Sequence, residues 1–502
     1  MLKRLEDMIL KNNSNRLCSV DDNKSYTYSE VKQSILRLSN FLSEYDFDAQ
    51  SRIIVFIPND TKAIVSVFAI LNCNMIAVPI DIQTPSNVLI EMINTVNAQA
   101  IICLSKKSIE QIDFKKCGEI EIIFYDECFS KKAVKNERLI KKRDDDLALI
   151  LFTSGTTGRF KAVVHSHKTV LSNIYSVLDY MKVDENDKFY VMKTYVHCSS
   201  LLSEILVALF ANASVCLYKP KVSINVTIER IMKEKATVLG INPTFLRMLT
   251  NLNSEKVMEK LASIKTVVTS GATVSTELLC KCKGLFENGK IINVYGLTEA
   301  GPRVSAQRPD GIYKEGSVGH PIKNVSVKIE NNKTYGKNNA GEVLVQTPSM
   351  MLQYWNDEKE TSKKIVNNWL RTGDLGYFDQ DGELYIIGRI DDMIIRSSHN
   401  VDPFRIDSIV ETMEGIKQCV TFGVPDEING QNIVSAVVKR EHRIQAKDIL
   451  DYCRKNLYGY ELPNFIMFVD EIPLTTGKKV SKKELQEQYY KQYMSNANSE
   501  KS

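Results

Sequence analysis

The sequence predicts an α/β protein: a large N-terminal domain of several subdomains with mainly parallel sheets, followed by a small α+β C-terminal domain. Three observations predict it. At 502 residues the chain is longer than one hydrophobic core usually serves, so it divides. Its first half alternates short β-branched runs with stretches of helical period, the pattern of parallel strands joined by crossover helices. From about Val325 the texture changes to alternating strands and tight turns such as Asp381-Gly382, which suit antiparallel pairing.

The elements follow in order. Arg52–Ile57 (RIIVFI) is a strand, Lys62–Leu71 a helix and Met75–Ile80 (MIAVPI) the next strand. Strands at Ala100–Leu104 and Ile120–Phe124 continue the alternation, and Lys131–Asp146 is a charged loop. The apolar run Leu147–Phe152 (LALILF) is short and bounded by turn residues, as a buried strand should be. A glycine-rich turn follows, then a helix from about Lys168. Val325–Ile329 and Glu342–Gln346 read as strands. The last segment reads βαβ-like, with helices near Asp407–Met413 and Ala446–Lys455. A boundary near Arg389–Asp392 gives domains 1–388 and 389–502, and the polar residues from Ser495 to Ser502 are expected to fray.

Composition excludes several classes. The 65 basic and 61 acidic residues leave a net charge of +4, which gives no footprint for nucleic acid or for a membrane surface. The longest apolar stretch of the first hundred residues, Ala63–Leu71, is too short to span a bilayer. The opening MLKRLEDMILKNNSNR lacks the apolar core of a signal peptide, so the expected location is cytoplasmic. Eleven cysteines without a CxxC, and six histidines without an HExxH, form neither a disulfide framework nor a zinc site. Most of the cysteines read as small core residues of a reducing compartment.

The residues that point to chemistry begin at Thr153–Lys161, TSGTTGRFK. A buried strand runs into a turn whose glycines, Gly155 and Gly158, let successive backbone N–H groups face one concavity. The hydroxyls of Thr153, Ser154, Thr156 and Thr157 add donors, and Lys161 adds a positive charge. This set suits a polyphosphate, yet the GxxxxGK[ST] spacing of a Walker loop is absent.

TSGTTGRFK resembles the phosphate loop of the adenylate-forming superfamily, which includes acyl-CoA synthetases, adenylation domains and firefly-type luciferases. The resemblance continues in order along nearly the whole chain. Tyr295–Glu299 (YGLTE) is similar to the superfamily's adenine and magnesium motif, and Arg371–Asp374 (RTGD) to its ribose motif. Gly388–Asp392 (GRIDD) is similar to its hinge, and Pro473–Leu485 (PLTTGKKVSKKEL) to its C-terminal lysine motif. Shorter matches lie at Asn74–Asp81, Asn242-Pro243-Thr244, Ser270-Gly271-Ala272 and Tyr354-Trp355.

The resemblance implies roles. ATP would be held by Thr153–Gly158, Lys161, Gly271, Ala272, Tyr295, Gly296, Asp374 and Arg389. Glu299 would hold Mg²⁺, for which a hard carboxylate oxygen is suited. Tyr295 offers a flat face to adenine, Thr298 a hydroxyl near the α-phosphate, and Asp374 a carboxylate for both ribose hydroxyls. Asp391 would be the hinge between the domains. Lys479 is the implied catalytic lysine, because Pro473, Leu474, Thr475, Val480 and Leu485 then all align; a slip of one residue would select Lys478.

The acid and its acceptor are read from departures. Ser199 stands where amino-acid-activating relatives carry the aspartate that anchors an α-ammonium, so a fatty or aromatic acid is expected instead. His197 matches the histidine before the acyl pocket of acyl- and aryl-CoA synthetases, and Ser199, Ser270 and Gly296 would line that pocket. Phe160 and Ala162 replace a usual proline and glycine of the phosphate loop. Ser397–Asn400 (SSHN) stands where relatives carry a glycine and an arginine, and that glycine admits pantetheine. The acceptor is therefore left among CoA, the phosphopantetheine of a carrier protein and an amine; Pro403-Phe404 is shared with acyl-CoA synthetases. A relative that binds nucleotide or acyl-adenylate without turnover is the competing reading.

Overall fold

The computed structural model describes residues 2–22, 24–129, 142–154, 160–219, 223–252, 254–270, 278, 281–282, 284–286, 289–308, 314, 316–335, 340–396, 399–426, 430–440, 443–474 and 480–499. The chain folds into two compact units. One comprises Met1–Lys328, Leu344–Arg371 and Gly382–Leu384; the other comprises Ile329–Val343, Thr372–Asp381 and Tyr385–Ser502.

Two large sheets organise the first unit. A seven-stranded sheet runs in the order Gln353–Tyr354, Phe160–Ser166, Leu147–Ser154, Ile76–Pro79, Arg52–Phe56, Ala100–Cys103, Glu121–Phe124. Its last five strands pair in parallel, and the first two join antiparallel at one edge. A nine-stranded sheet has a parallel centre, Lys290–Tyr295, Thr266–Thr269, Val238–Ile241, Lys188–Val191, Ser214–Cys216 and Leu17–Val20, with antiparallel strands at both edges.

The helix Thr61–Asn72 shows why these elements form. Asp60 caps it, its carboxylate accepting from the Ala63 N–H at 3.2 Å. Ala63–Leu71 are all buried, so the helix is apolar on every side and belongs inside a core rather than on a surface. It packs into one cluster with residues of both sheets, including Ile53, Val55, Val191 and Val215.

The second unit carries its own two cores. Ile416–Asp426 and Gly430–Lys439 pair antiparallel, and Phe465–Phe468 joins Gly430–Lys439 in parallel. Helices Pro403–Glu411 and Ala446–Asn456 carry Ile406, Val410, Ile449 and Cys453 into one of these cores.

The first-half strands and helices named from the sequence lie within a residue or two of their expected places, while the strands of the nine-stranded sheet were not among them. The strand expected at Val325–Ile329 is longer, Ser326–Tyr335, because its polar continuation lacks the apolar alternation that marks a strand. Of the tail expected to fray from Ser495, residues 495–499 close a helix, Lys482–Ser499, built largely from Lys, Glu, Gln and other helix-tolerant residues, and residues 500–502 lie outside the described residues. Most of the Lys131–Asp146 loop lies outside the described residues. Seven of the ten described cysteines are buried, as expected of small core residues, and all ten are free thiols. Among the described residues no helix is long and apolar enough to cross a membrane.

Candidate active site

The parallel strands set the site. Lys188–Val191, Val238–Ile241, Thr266–Thr269 and Lys290–Tyr295 are neighbours running in one direction. Just past their carboxyl ends come Lys193, Asn242, Ser270 and the YGLTE segment. In open α/β sheets that edge is where ligands bind. The strand Leu147–Ser154 of the other sheet likewise ends at the phosphate-loop sequence.

That loop is framed by a strand pair in which Thr153 faces Lys161 and Ser154 faces Phe160. Gly155, Thr156, Thr157 and Gly158 lie outside the described residues. Lys161 projects toward the YGLTE side of the unit. Its ammonium stands 4.9 Å from the centre of the Tyr354 ring and 2.7 Å from Glu360 Oε2. The Lys161 and Lys363 ammonium groups beside Glu360 hold its carboxyl down at about 2. The lysine charge expected for a polyphosphate is thus matched by a carboxylate that the sequence did not reveal.

Tyr354 has a second role. Its hydroxyl donates to Glu299 Oε1 at 2.8 Å, and the Glu299 carbonyl accepts from the Met351 N–H at 2.8 Å. Among the described residues nothing else bonds that carboxylate. Tyr295 ends its strand opposite Ser305. Gly296 follows, and no other residue fits there: a Cβ would fall 1.7 Å from the Pro302 carbonyl oxygen. Thr298 donates through Oγ1 to Cys198 Sγ at 3.0 Å.

His165 was not singled out in the sequence, yet it fixes this segment. Its Nε2 lies 2.9 Å from the Thr298 carbonyl oxygen, and since a carbonyl only accepts, that nitrogen carries the proton. Nδ1 lies 3.3 Å from Thr169 Oγ1. Burial pulls the His165 pKa down to about 4, so the ring is neutral at pH 7.

Two of the expected acyl-pocket residues, Ser199 and Ser270, meet at a lysine. The Lys193 ammonium lies 3.3 Å from Ser199 Oγ and 3.1 Å from Ser270 Oγ. His197 is exposed at the N-cap of a helix that runs from Cys198 to Phe210 through a π-helical turn, Leu201–Ile205. Such turns are frequent at functional sites. Glu204 sits on that turn, buried, and Gly240 makes room for it: a Cβ there would fall 2.4 Å from the Glu204 carboxyl carbon. Burial raises the Glu204 pKa, while Lys193 and Arg303 pull against the rise. Gly271 and Ala272 lie outside the described residues.

In the second unit, Asp374 and Arg389 come together, Nε to Oδ1 at 2.9 Å, and an Arg389 terminal nitrogen also donates to the Thr372 carbonyl at 3.2 Å. Asp374 is fixed from below: its N–H donates to Thr372 Oγ1, which itself donates to the Val343 carbonyl. Asp391 lies on the short helical turn Ile390–Asp392. Ser397, Ser398, Lys478 and Lys479 lie outside the described residues. No group of three or more metal-binding side chains occurs among the described residues. A single carboxylate at Glu299 still fits Mg²⁺, which commonly takes one or two carboxylates and completes its shell with phosphates and water. Two surface clefts, one lined by Tyr26, Thr61, Lys62 and Tyr125 and the other by Arg16, Glu185, Lys188 and Glu234, contain none of these residues.

Known proteins resemble this chain in sequence and in fold. Residues 7–355 match the family model described as AMP-binding enzyme, and residues 405–479 match the AMP-binding enzyme C-terminal domain. An oxalate–CoA ligase of Arabidopsis thaliana is 25% identical over 496 residues, covering 95% of this chain and 96% of the relative. A long-chain-fatty-acid–CoA ligase of Mycobacterium tuberculosis is 28% identical over 361 residues, covering 72% of this chain and 71% of the relative. The crystal structure of ATP-bound MatB from Rhodopseudomonas palustris shares the fold, with a TM-score of 0.88 at 24% identity over 97% of this chain and 99% of that one.

Proposed function

Since the chain belongs to the AMP-binding enzyme family, we propose that it is an AMP-forming acid–CoA ligase that first converts a carboxylic acid and ATP to an acyl-adenylate and pyrophosphate. One observation carries this reading. Tyr354 lies between the two halves of an ATP site: its ring sits under the Lys161 ammonium and its hydroxyl holds Glu299. The phosphate loop's strand and the magnesium carboxylate are thereby held to one side chain.

The chemistry follows from charge. A carboxylate oxygen attacks the α-phosphorus of ATP, the bond to the bridging oxygen breaks, and pyrophosphate leaves with the electron pair. The protein's share is to position the reactants and neutralise developing charge. Thr153, the loop residues after it and Lys161 would bind the phosphates, Lys161 exchanging Glu360 for them; Glu299 would hold Mg²⁺, which would screen the phosphate charge. Thr298, its backbone anchored through His165, would turn its hydroxyl from Cys198 to the α-phosphate. Asp374 and Arg389 would take the ribose, and Lys479 would supply an ammonium, with Asp391 as the hinge, as the resemblance implies. In the second step a thiol attacks the acyl carbon and AMP leaves. The CoA-ligase names of the relatives favour CoA as the thiol over a carrier-protein pantetheine. A cytoplasmic setting, where ATP and CoA abound, fits these substrates.

Pyrophosphate release, measured without CoA over a panel of fatty, aryl, dicarboxylic and α-amino acids, tests the reading. The expected result is release that depends on the acid, with α-amino acids inactive. Lys479→Ala should slow it by about 2.7–4 kcal/mol of transition-state stabilisation, the scale of one lost donor. Release by no acid, despite ATP binding, would point to a relative that binds without turnover.

A further inference from the structure

The group around Lys193 is out of charge balance for a pocket meant to hold an apolar chain. Its half-buried ammonium bonds only the neutral hydroxyls of Ser199 and Ser270, and among the described residues no carboxylate lies within 4.0 Å of it. Arg303 adds a second cation: it is 3% exposed, and its Nε has no hydrogen-bond partner among the described residues. The nearby carboxyl group is Glu204, whose burial weakens its ionisation. Burial likewise pulls the Lys193 pKa below its usual range, with Arg303 acting in the same direction and Glu204 against it. Two cations thus stand against one buried carboxyl whose charge burial weakens, and an anionic ligand would offset the excess. A fatty tail would leave it in place.

We propose that Lys193, backed by Arg303, recognises a second anionic group on the substrate, so that the acid activated is a dicarboxylic acid. The inference rests on the ligase reading and on the acyl-pocket positions of Ser199 and Ser270. One carboxylate of the acid forms the new bond to the α-phosphorus, and pyrophosphate leaves with the electron pair of the bond that breaks. The other carboxylate keeps its charge throughout and stays against the Lys193 ammonium. Ser199 and Ser270 hold that ammonium in place and can also donate to the same anion.

Matched pairs of acids test it: butyrate against succinate, hexanoate against adipate, each assayed by pyrophosphate release. The wild-type protein should favour the diacid of its best chain length by at least about tenfold in kcat/KM, the scale of one charge-assisted hydrogen bond. Lys193→Met keeps an unbranched side chain one atom shorter and removes the charge; it should lower the diacid-to-monoacid ratio at least about tenfold, mainly through KM for the diacid. Lys193→Arg should restore part of the ratio. Preference of the wild type for the monoacids, or equal losses on both acids in Lys193→Met, would overturn the inference and leave the ligase reading standing. Release with no acid at all would overturn both. If Lys193→Met does not fold, the wild-type pairs decide alone.

Discussion

His165 shows what one side chain does for the site. It stands on the strand after the phosphate loop and bonds the backbone of Thr298, 133 residues later, tying the two sheets together beside the ATP motif. Its folded pKa of about 4 lies below the 6.5 of a free imidazole, so between those pH values the unfolded chain takes up a proton that the folded one refuses. Stability is therefore full above pH 6.5 and falls as pH drops toward 4. His167, pulled to about 3 by burial, adds a second slope of the same sign. His165→Gln can keep the donor to Thr298 but cannot titrate. In urea unfolding, it should reduce the slope of stability against pH between 6.5 and 5 by up to about 1.4 kcal/mol per pH unit. An unchanged slope would mean that His165 is not held neutral. Residues of this kind were illegible in the sequence because their meaning is a long-range contact. Lys193, Glu360 and Arg303 are of the same kind. Gly296 was legible, since its motif names it, though the reason, the Pro302 carbonyl oxygen, appears only in the fold.

At the scale of elements, the short strand Gln353–Tyr354 has an effect out of proportion to its length. By pairing with Phe160–Ser166 it sets Tyr354 opposite Val163, in reach of both Lys161 and Glu299. Tyr354→Phe keeps the ring and deletes the hydroxyl, leaving Glu299 unsteadied. The expected outcome is a loss of about 0.5–1.5 kcal/mol, seen as a severalfold higher Mg²⁺ requirement for pyrophosphate release at little cost in folding. An unchanged magnesium dependence would remove Tyr354 from the account. The parallel strands of the seven-stranded sheet were legible because β-branched runs bounded by turns announce buried parallel strands; those of the nine-stranded sheet were not read. The edge strands Gln353–Tyr354, Ser305–Ala306 and His320–Pro321 were not, because two residues carry no period. The π-helical turn at Leu201–Ile205 was hidden for a related reason: its sequence, LLSEI, continues an ordinary helical pattern.

For the whole molecule, the account requires that residues from separate parts of the chain act on one phosphorus atom. The order of motifs along 502 residues is what suggests that division of labour. Its central claim is that the acid's own oxygen becomes bonded to the α-phosphorus. Isotope transfer measures this directly. An acid labelled with ¹⁸O in its carboxylate is turned over with ATP, Mg²⁺ and CoA, and the nucleotide product is weighed by mass spectrometry. The account predicts AMP carrying one ¹⁸O, with unlabelled pyrophosphate. Unlabelled AMP, or ADP with the label in inorganic phosphate, would contradict it.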